Sequence, residues 1–186
     1  MQAHNEREAP DYRVSMRDRI IMLLLALIGA IVILRPAIAF QSYSRANFFL
    51  DNGSIKKAIS LYHRAILLDP SFSDAYSYLG FALKQDKQTE KAIEAYNKAL
   101  EINRNDKQVF FELGHIYLSQ KDFKKAAASF EKAAQLDTSD PNTKNMYAVA
   151  LNKDGQTEQA IAVWEDILKK DPQYKPAQVS LDKYKN

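Results

Sequence analysis

Residues 90–104 read EKAIEAYNKALEINR, and the stretch returns three more times in kindred form. The others are KKAISLYHRAILLDP at 56–70, KKAAASFEKAAQLDT at 124–138 and EQAIAVWEDILKKDP at 158–172. All four align without gaps. Ala58, Ala92, Ala126 and Ala160 stand 34 residues apart, and four residues after each comes an aromatic: Tyr62, Tyr96, Phe130, Trp164. Three further on sits Ala65, Ala99, Ala133 or Ile167. Self-similarity at a fixed period of this size marks an array of small units, each burying its apolar face only against its neighbours. Small residues let paired helices approach closely, and the aromatics fill the space between units. The pattern predicts an all-α chain.

The segments ahead of these stretches complete a wider pattern. Residues 73–106 carry Tyr76, Leu79, Gly80 and Leu83 before Ala92, Tyr96 and Ala99, with Arg104 at the closing position. Residues 107–140 carry Phe110, Leu113, Gly114 and Tyr117 before Ala126, Phe130 and Ala133, with Thr138 closing. Residues 141–174 carry Tyr147, Ala148 and Leu151, then Gly155, Ala160, Trp164 and Pro172, with Lys144 at the first aromatic position. Residues 39–72 are degenerate in front, at Ser42, Arg45 and Ala46, and regular behind, at Gly53, Ala58, Tyr62, Ala65 and Pro70. This resembles the tetratricopeptide repeat (TPR), whose pattern is aromatic-x2-Leu-Gly-x2-Tyr, then Ala-x3-Phe, then Pro.

The resemblance spans about 136 of 186 residues. It implies a right-handed α-solenoid of four helix pairs, TPR 1 to TPR 4, with residues 175–186 as a capping helix. Leu181 and Tyr184 would cover the last repeat, and a polar outer face suits a cap. Gly80, Gly114, Ala46 and Ala148 take the crowded crossings of the front helices. Gly53 and Gly155 fall in the turns within repeats, with Asp86-Lys87 and Lys121-Asp122 in the same turns elsewhere. Pro141 follows Ser139-Asp140, a sequence suited to a helix start.

Upstream of the array the chain changes character. Ile20–Leu34 reads IIMLLLALIGAIVIL without a charge, and of the 21 residues from Ile20 to Phe40 only Gly29, Arg35 and Pro36 are not hydrophobic. A single hydrophobic helix of that length reaches about 31 Å, enough for a hydrocarbon core of ~30 Å. Read as a transmembrane anchor, residues 20–38 follow a polar tail, 1–19, and Pro36 would bend the helix where it meets the array. Read as a signal peptide, the same run is an h-region, and Ala37-Ile38-Ala39 offers cleavage after Ala39. The tail carries Glu6, Glu8, Asp11 and Asp18 among its arginines, which is long and mixed for an n-region and favours the anchor. Arg7, Arg13, Arg17 and Arg19 upstream outnumber Arg35 and Arg45 downstream. That bias puts the N-terminus in the cytoplasm and the array on the exported side, which in a double-membraned cell is the periplasm. Cleavage would instead release a soluble exported protein.

Composition removes other classes. There is no cysteine, so no disulfide framework, Cys-based metal site or thiol nucleophile exists. With 26 basic against 23 acidic residues, the chain lacks a nucleic-acid footprint. The five glycines are absorbed by the anchor, crossings and turns, leaving none for a phosphate loop. His4 lies in the tail, His63 on a back helix, and His115 has no second histidine at ligand spacing. Carboxylate pairs such as Glu90/Glu94 sit among Lys and Gln, as solvated faces do. The sequence therefore predicts no enzyme, cofactor or metal.

What the resemblance implies instead is a concave groove of front helices that grips a partner protein's peptide or helix. By position its candidates are Tyr43, Asn47 and Leu50, with Phe40 beside them; Phe81 and Lys84, with Asp74 and Ser77; Phe111 and His115, with Gln108 and Leu118; and Asn145, Val149 and Asn152, with Asn142. Some family members hold chaperone C-termini in a carboxylate clamp. Here Asn47 matches the clamp, but Tyr43, Tyr78, Gln108 and Glu112 replace its other residues, and Glu112 would repel a carboxylate. Adaptor or assembly factor is the function expected, with a self-assembling scaffold of stacked arrays as a further alternative.

Overall fold

The computed structural model of the protein describes residues 15–184. Most of the polar tail, including His4, Arg7 and Arg13, and the last two residues of the capping segment lie outside them. Among the described residues the regular elements are all helices: α1 (Met16–Asp51), α2 (Ile55–Leu68), α3 (Ser73–Gln85), α4 (Thr89–Ile102), α5 (Lys107–Ser119), α6 (Phe123–Leu136), α7 (Pro141–Lys153), α8 (Thr157–Lys170) and α9 (Lys175–Asp182). Short connections fold α1 onto α2, α3 onto α4, α5 onto α6 and α7 onto α8, as antiparallel neighbours must. The pairs stack in chain order into an α-solenoid, and α9 closes it.

The 36 residues of α1 join two materials in one rod. Ser15 caps it, its hydroxyl accepting from the Asp18 amide at 3.2 Å. From Ile20 to Leu34 every large apolar side chain is exposed, Leu23 to 70%, and this stretch has the length and composition to cross a membrane. Beyond it the same helix becomes the front helix of the first repeat, with Ala39, Ser42 and Ala46 buried against α2. The helix runs on through Pro36, although proline's missing N–H leaves the Val32 carbonyl without its helical donor. Arg35 donates to the Leu67 carbonyl at 3.3 Å, so the end of α2 is tied to α1 just where the apolar run stops.

Within the array the crossing of each pair is set by size. A Cβ on Gly80 would stand 2.8 Å from the Tyr96 ring, and one on Gly114 2.7 Å from the Phe130 ring. Both distances are closer than real carbon contacts allow. Tyr62, Tyr96, Phe130 and Trp164 are the largest side chains sealed from solvent, so the recurring aromatic is the centre of each repeat's core. The buried side chains gather in two clusters, one over α1–α5 and one over α6–α9, with Phe111, Tyr117 and Leu118 of α5 packed against the second.

Turns and caps follow the same period. Gly53, Lys87, Lys121 and Gly155 each take the left-handed conformation, with φ of 71, 60, 62 and 86°. Those positions are 34 apart. Asp106, Asp122 and Asp140 cap α5, α6 and α7 by accepting backbone amides, and Pro141 takes the first turn of α7. At the far end Ala177 and Leu181 of α9 are buried, and the Tyr184 ring stacks on Trp164 at 6.1 Å. The last repeat is thus capped, as a solenoid end requires.

Candidate functional site: the groove of the front helices

The front helices α1, α3, α5 and α7 present the same register positions along one face, and the candidate residues divide by what they touch there. Tyr43 belongs to an aromatic cluster, its ring 4.9 Å from Phe72, 5.5 Å from Tyr78 and 6.1 Å from Tyr62; Phe40 lies 6.2 Å away and is exposed. Phe111 meets His115 edge-on at 4.6 Å, and both rings stand against Phe130, at 5.6 and 5.2 Å. The Tyr43, Phe111 and His115 rings are half-buried. Burial holds the His115 imidazole below its ordinary pKa, with Glu112 opposing and Lys84 adding to the shift. Leu50, Phe81 and Val149 are half-buried against the core clusters, and Leu118 packs from α5 on the second.

The asparagines are committed more deeply than their register suggests. Asn47 accepts the Tyr62 hydroxyl at 2.6 Å. Asn145, itself buried, accepts the Trp164 indole N–H at 3.0 Å. Asn152 accepts the Thr157 hydroxyl at 3.0 Å. Each amide oxygen thus satisfies a polar group within its own repeat. Asn142, by contrast, is exposed at the start of α7.

Lys84 reaches from α3 to α5, where its ammonium pairs with Glu112 and lies 5.2 Å from the Phe81 ring centroid. The other Glu112 oxygen accepts from Gln108 at 3.1 Å. Beside this pair, between α3, α4 and α5, lies an open cleft of about 420 Å³, lined by Asp74, Ser77, Tyr78, Phe81, Gln108 and Glu112. Tyr96 and Asp106 complete its wall. Tyr96 is 1% exposed, and its hydroxyl has no hydrogen-bond partner among the described residues. Burial drives this phenol's pKa far up, and the negative charges of Glu112 and Asp106 push the same way. The sequence reading placed Asp74, Ser77, Phe81 and Gln108 on this face, and Tyr78 and Glu112 at positions of the clamp, but did not single out Tyr96 or Asp106 here. The available signal was that Tyr96, unlike Tyr62, has Phe81 rather than asparagine at the matching front-helix position.

A larger cavity, about 660 Å³, opens on the opposite side, among the back helices, with Ile59, His63, Ile66 and Tyr76 among its walls. Its rim alternates Lys91, Glu94, Lys98 and Glu101, which is a solvated face rather than a directed field. Among the described residues no three His, Asp or Glu side chains converge as a metal site would need.

An array of stacked helix hairpins, with small residues at each crossing and a bulky aromatic opposite, defines a class of helical-repeat protein built for interaction surfaces. Two sequence models of the tetratricopeptide repeat match, one over residues 73–106 and one over 117–181. Together they cover more than half of the chain, which belongs to the tetratricopeptide repeat family. Solved structures agree on the fold. The crystal structure of YrrB, described as a TPR protein with an unusual peptide-binding site, superposes with a TM-score of 0.68 at 22% identity, over 75% of this chain and 72% of that one. A crystal structure of the MamA protein gives 0.68 at 21% identity, covering 84% of this chain and 87% of that one. A second MamA structure gives 0.68 at 21%, covering 86% and 96%. No curated protein matches the sequence.

Proposed function

We propose that this chain is a membrane-tethered, non-catalytic adaptor that holds an extended segment or helix of a partner protein in the groove of its front helices. The observation that carries this reading is the continuity of α1, whose exposed apolar half and buried repeat half form one helix. Cleavage after Ala39 would remove Arg35 and Ala39 and leave Ser42 near a free helix end. Ser42 now donates to the Ile38 carbonyl at 2.9 Å. The first repeat therefore folds best with the apolar segment attached. The excess of arginine before the segment argues for a cytoplasmic N-terminus and an array on the exported side. Half-buried aromatic rings along the groove supply rigid contact area at low entropic cost. The Lys84–Glu112 pair weighs against capture of a C-terminal carboxylate, since the cation a clamp would offer is already neutralised.

Two measurements test this reading. A photo-crosslinking residue at Ser77, in the groove, is compared with one at Lys98, on the back-helix side, in membranes of cells that make the protein. Adducts to a partner are expected from Ser77; adducts from Lys98 alone overturn the groove. Intact-mass measurement of the mature chain is expected to retain the apolar segment. A mass lacking residues 1–39 overturns the tether and leaves a soluble exported binding protein.

A further inference from the structure

We infer that the cleft between α3 and α5 is a subsite for a basic side chain, arginine or lysine, carried by the segment that occupies the groove. The inference rests on the groove reading and specifies the chemistry of what enters it. Three carboxylates, Asp74, Asp106 and Glu112, border the cleft, and none of the residues lining it is a lysine or arginine; Lys84 reaches its edge. That ammonium is engaged by Glu112. Asp106 has one oxygen on the Val109 amide, at 3.1 Å, as the cap of α5, and Asp74 makes no hydrogen bond or ion pair among the described residues. Even with Lys84 counted, the cleft is net negative. Its low-dielectric walls concentrate the field on an incoming cation.

The second observation is independent of charge. Tyr96 carries the cleft's one buried side-chain polar atom that lacks a partner among the described residues. An unsatisfied buried hydroxyl is unfavourable, and such groups call for an explanation. The repeats on either side show what satisfaction looks like. The Tyr62 hydroxyl is held by Asn47, while Phe130 presents no polar atom at all. In this repeat Phe81 stands where Asn47 would be and Ser77 where Asn145 would be. No internal partner has been supplied, and a donor on a ligand fits. The Tyr96 oxygen is closed to solvent, so a guanidinium or ammonium entering between Phe81 and Tyr78 would displace one of these half-exposed rings slightly and donate to that oxygen with Asp74 beside it. The aromatic walls would take the apolar stem and add cation–π attraction.

The test uses the full chain in detergent micelles, panned against a display library of random peptides. Loss of binding when a bulky maleimide is attached to Ser77→Cys, the sole thiol in a chain otherwise without cysteine, selects those that bind in the groove. The selected peptides are expected to share one fixed arginine or lysine, and replacing that residue with norleucine should weaken binding about tenfold, as loss of a charge-assisted contact does. The Asp74→Asn/Tyr96→Phe double variant should lose about as much, with its helical circular dichroism unchanged. It keeps both side-chain volumes and spares the Asp106 cap. Groove-binding peptides with no fixed basic residue overturn the subsite and leave the groove standing. Basic peptides that bind the double variant as tightly as the wild type also overturn the subsite. A library with no groove-binding peptide overturns both.

Discussion

The outer repeats and the inner repeats solve one packing problem in opposite ways. In the first and fourth, the front helix brings alanine to the crossing, Ala46 and Ala148, and the turn uses glycine, Gly53 and Gly155. In the second and third, glycine moves to the crossing, Gly80 and Gly114, and lysine takes the left-handed turn, Lys87 and Lys121. The back-helix aromatics divide along the same line. Tyr62 and Trp164 each have an asparagine to satisfy their polar atom, whereas Phe130 needs none and Tyr96 lacks one. At the glycine crossings the back-helix ring occupies the space a front-helix methyl would need. At the alanine crossings a front-helix asparagine reaches the ring's polar atom. The same 34-residue frame therefore hosts two core designs, and only one leaves a buried polar atom without a partner among the described residues.

The sharpest way to break this contrast is to give an inner crossing the outer residue. Gly114→Ala puts a methyl 2.7 Å from the Phe130 ring. That ring is boxed by Phe111 and His115 and cannot swing aside, so the variant is expected to lose about 3 kcal/mol, the upper end of overpacking costs. The reciprocal change, Ala148→Gly, meets no clash and should cost about 2 kcal/mol, from helix propensity and the loss of one buried methyl. Urea unfolding of the full chain in micelles, followed by circular dichroism, reads both. Equal losses would mean that the crossings are interchangeable and the two designs are one.

A smaller effect is expected where an outer repeat loses its polar partner. Asn145→Ala strands the Trp164 indole N–H inside the core, at a cost of about 1–2 kcal/mol. The same unfolding assay should place its midpoint between those of wild type and Gly114→Ala. A midpoint equal to the wild type's would show that the buried indole is satisfied some other way.

These particular residues also show how far the sequence could be read. The period, the helix pairs and the crossings were legible because each is set by side-chain size at a fixed spacing, and size is written in every repeat. The cap was legible because Leu181 continues the register of Leu79, Leu113 and Tyr147. The groove was legible only as a register. Position put Asn47 and Asn145 on the groove-facing helices, but whether an amide oxygen is free depends on which atom the opposite helix carries, a Tyr hydroxyl or an indole N–H. The cleft was harder still, since Tyr96, Asp106 and Asp74 come from three helices and meet only when consecutive repeats stack. Pro36 reads in sequence as a bend at a boundary. In the fold it lies inside α1, which runs through it from the apolar stretch into the first repeat.

The smallest expected effect concerns the turns, and it runs toward stability. Lys121 sits at φ 62° with an exposed side chain, a conformation that costs an L-residue with a Cβ roughly 1 kcal/mol and costs glycine nothing. Glycine also gives the unfolded chain more freedom to lose, which takes back part of the gain. Lys121→Gly, which copies Gly155 of the next repeat, should therefore raise stability by about 0.5 kcal/mol. The reverse change, Gly155→Lys, should lower it by a similar amount. If Lys121→Gly destabilises instead, the Lys121 stem must pack on the array enough to offset its backbone strain. The inner turns would then be held by side-chain contact and the outer turns by glycine's backbone freedom, a deeper version of the same division.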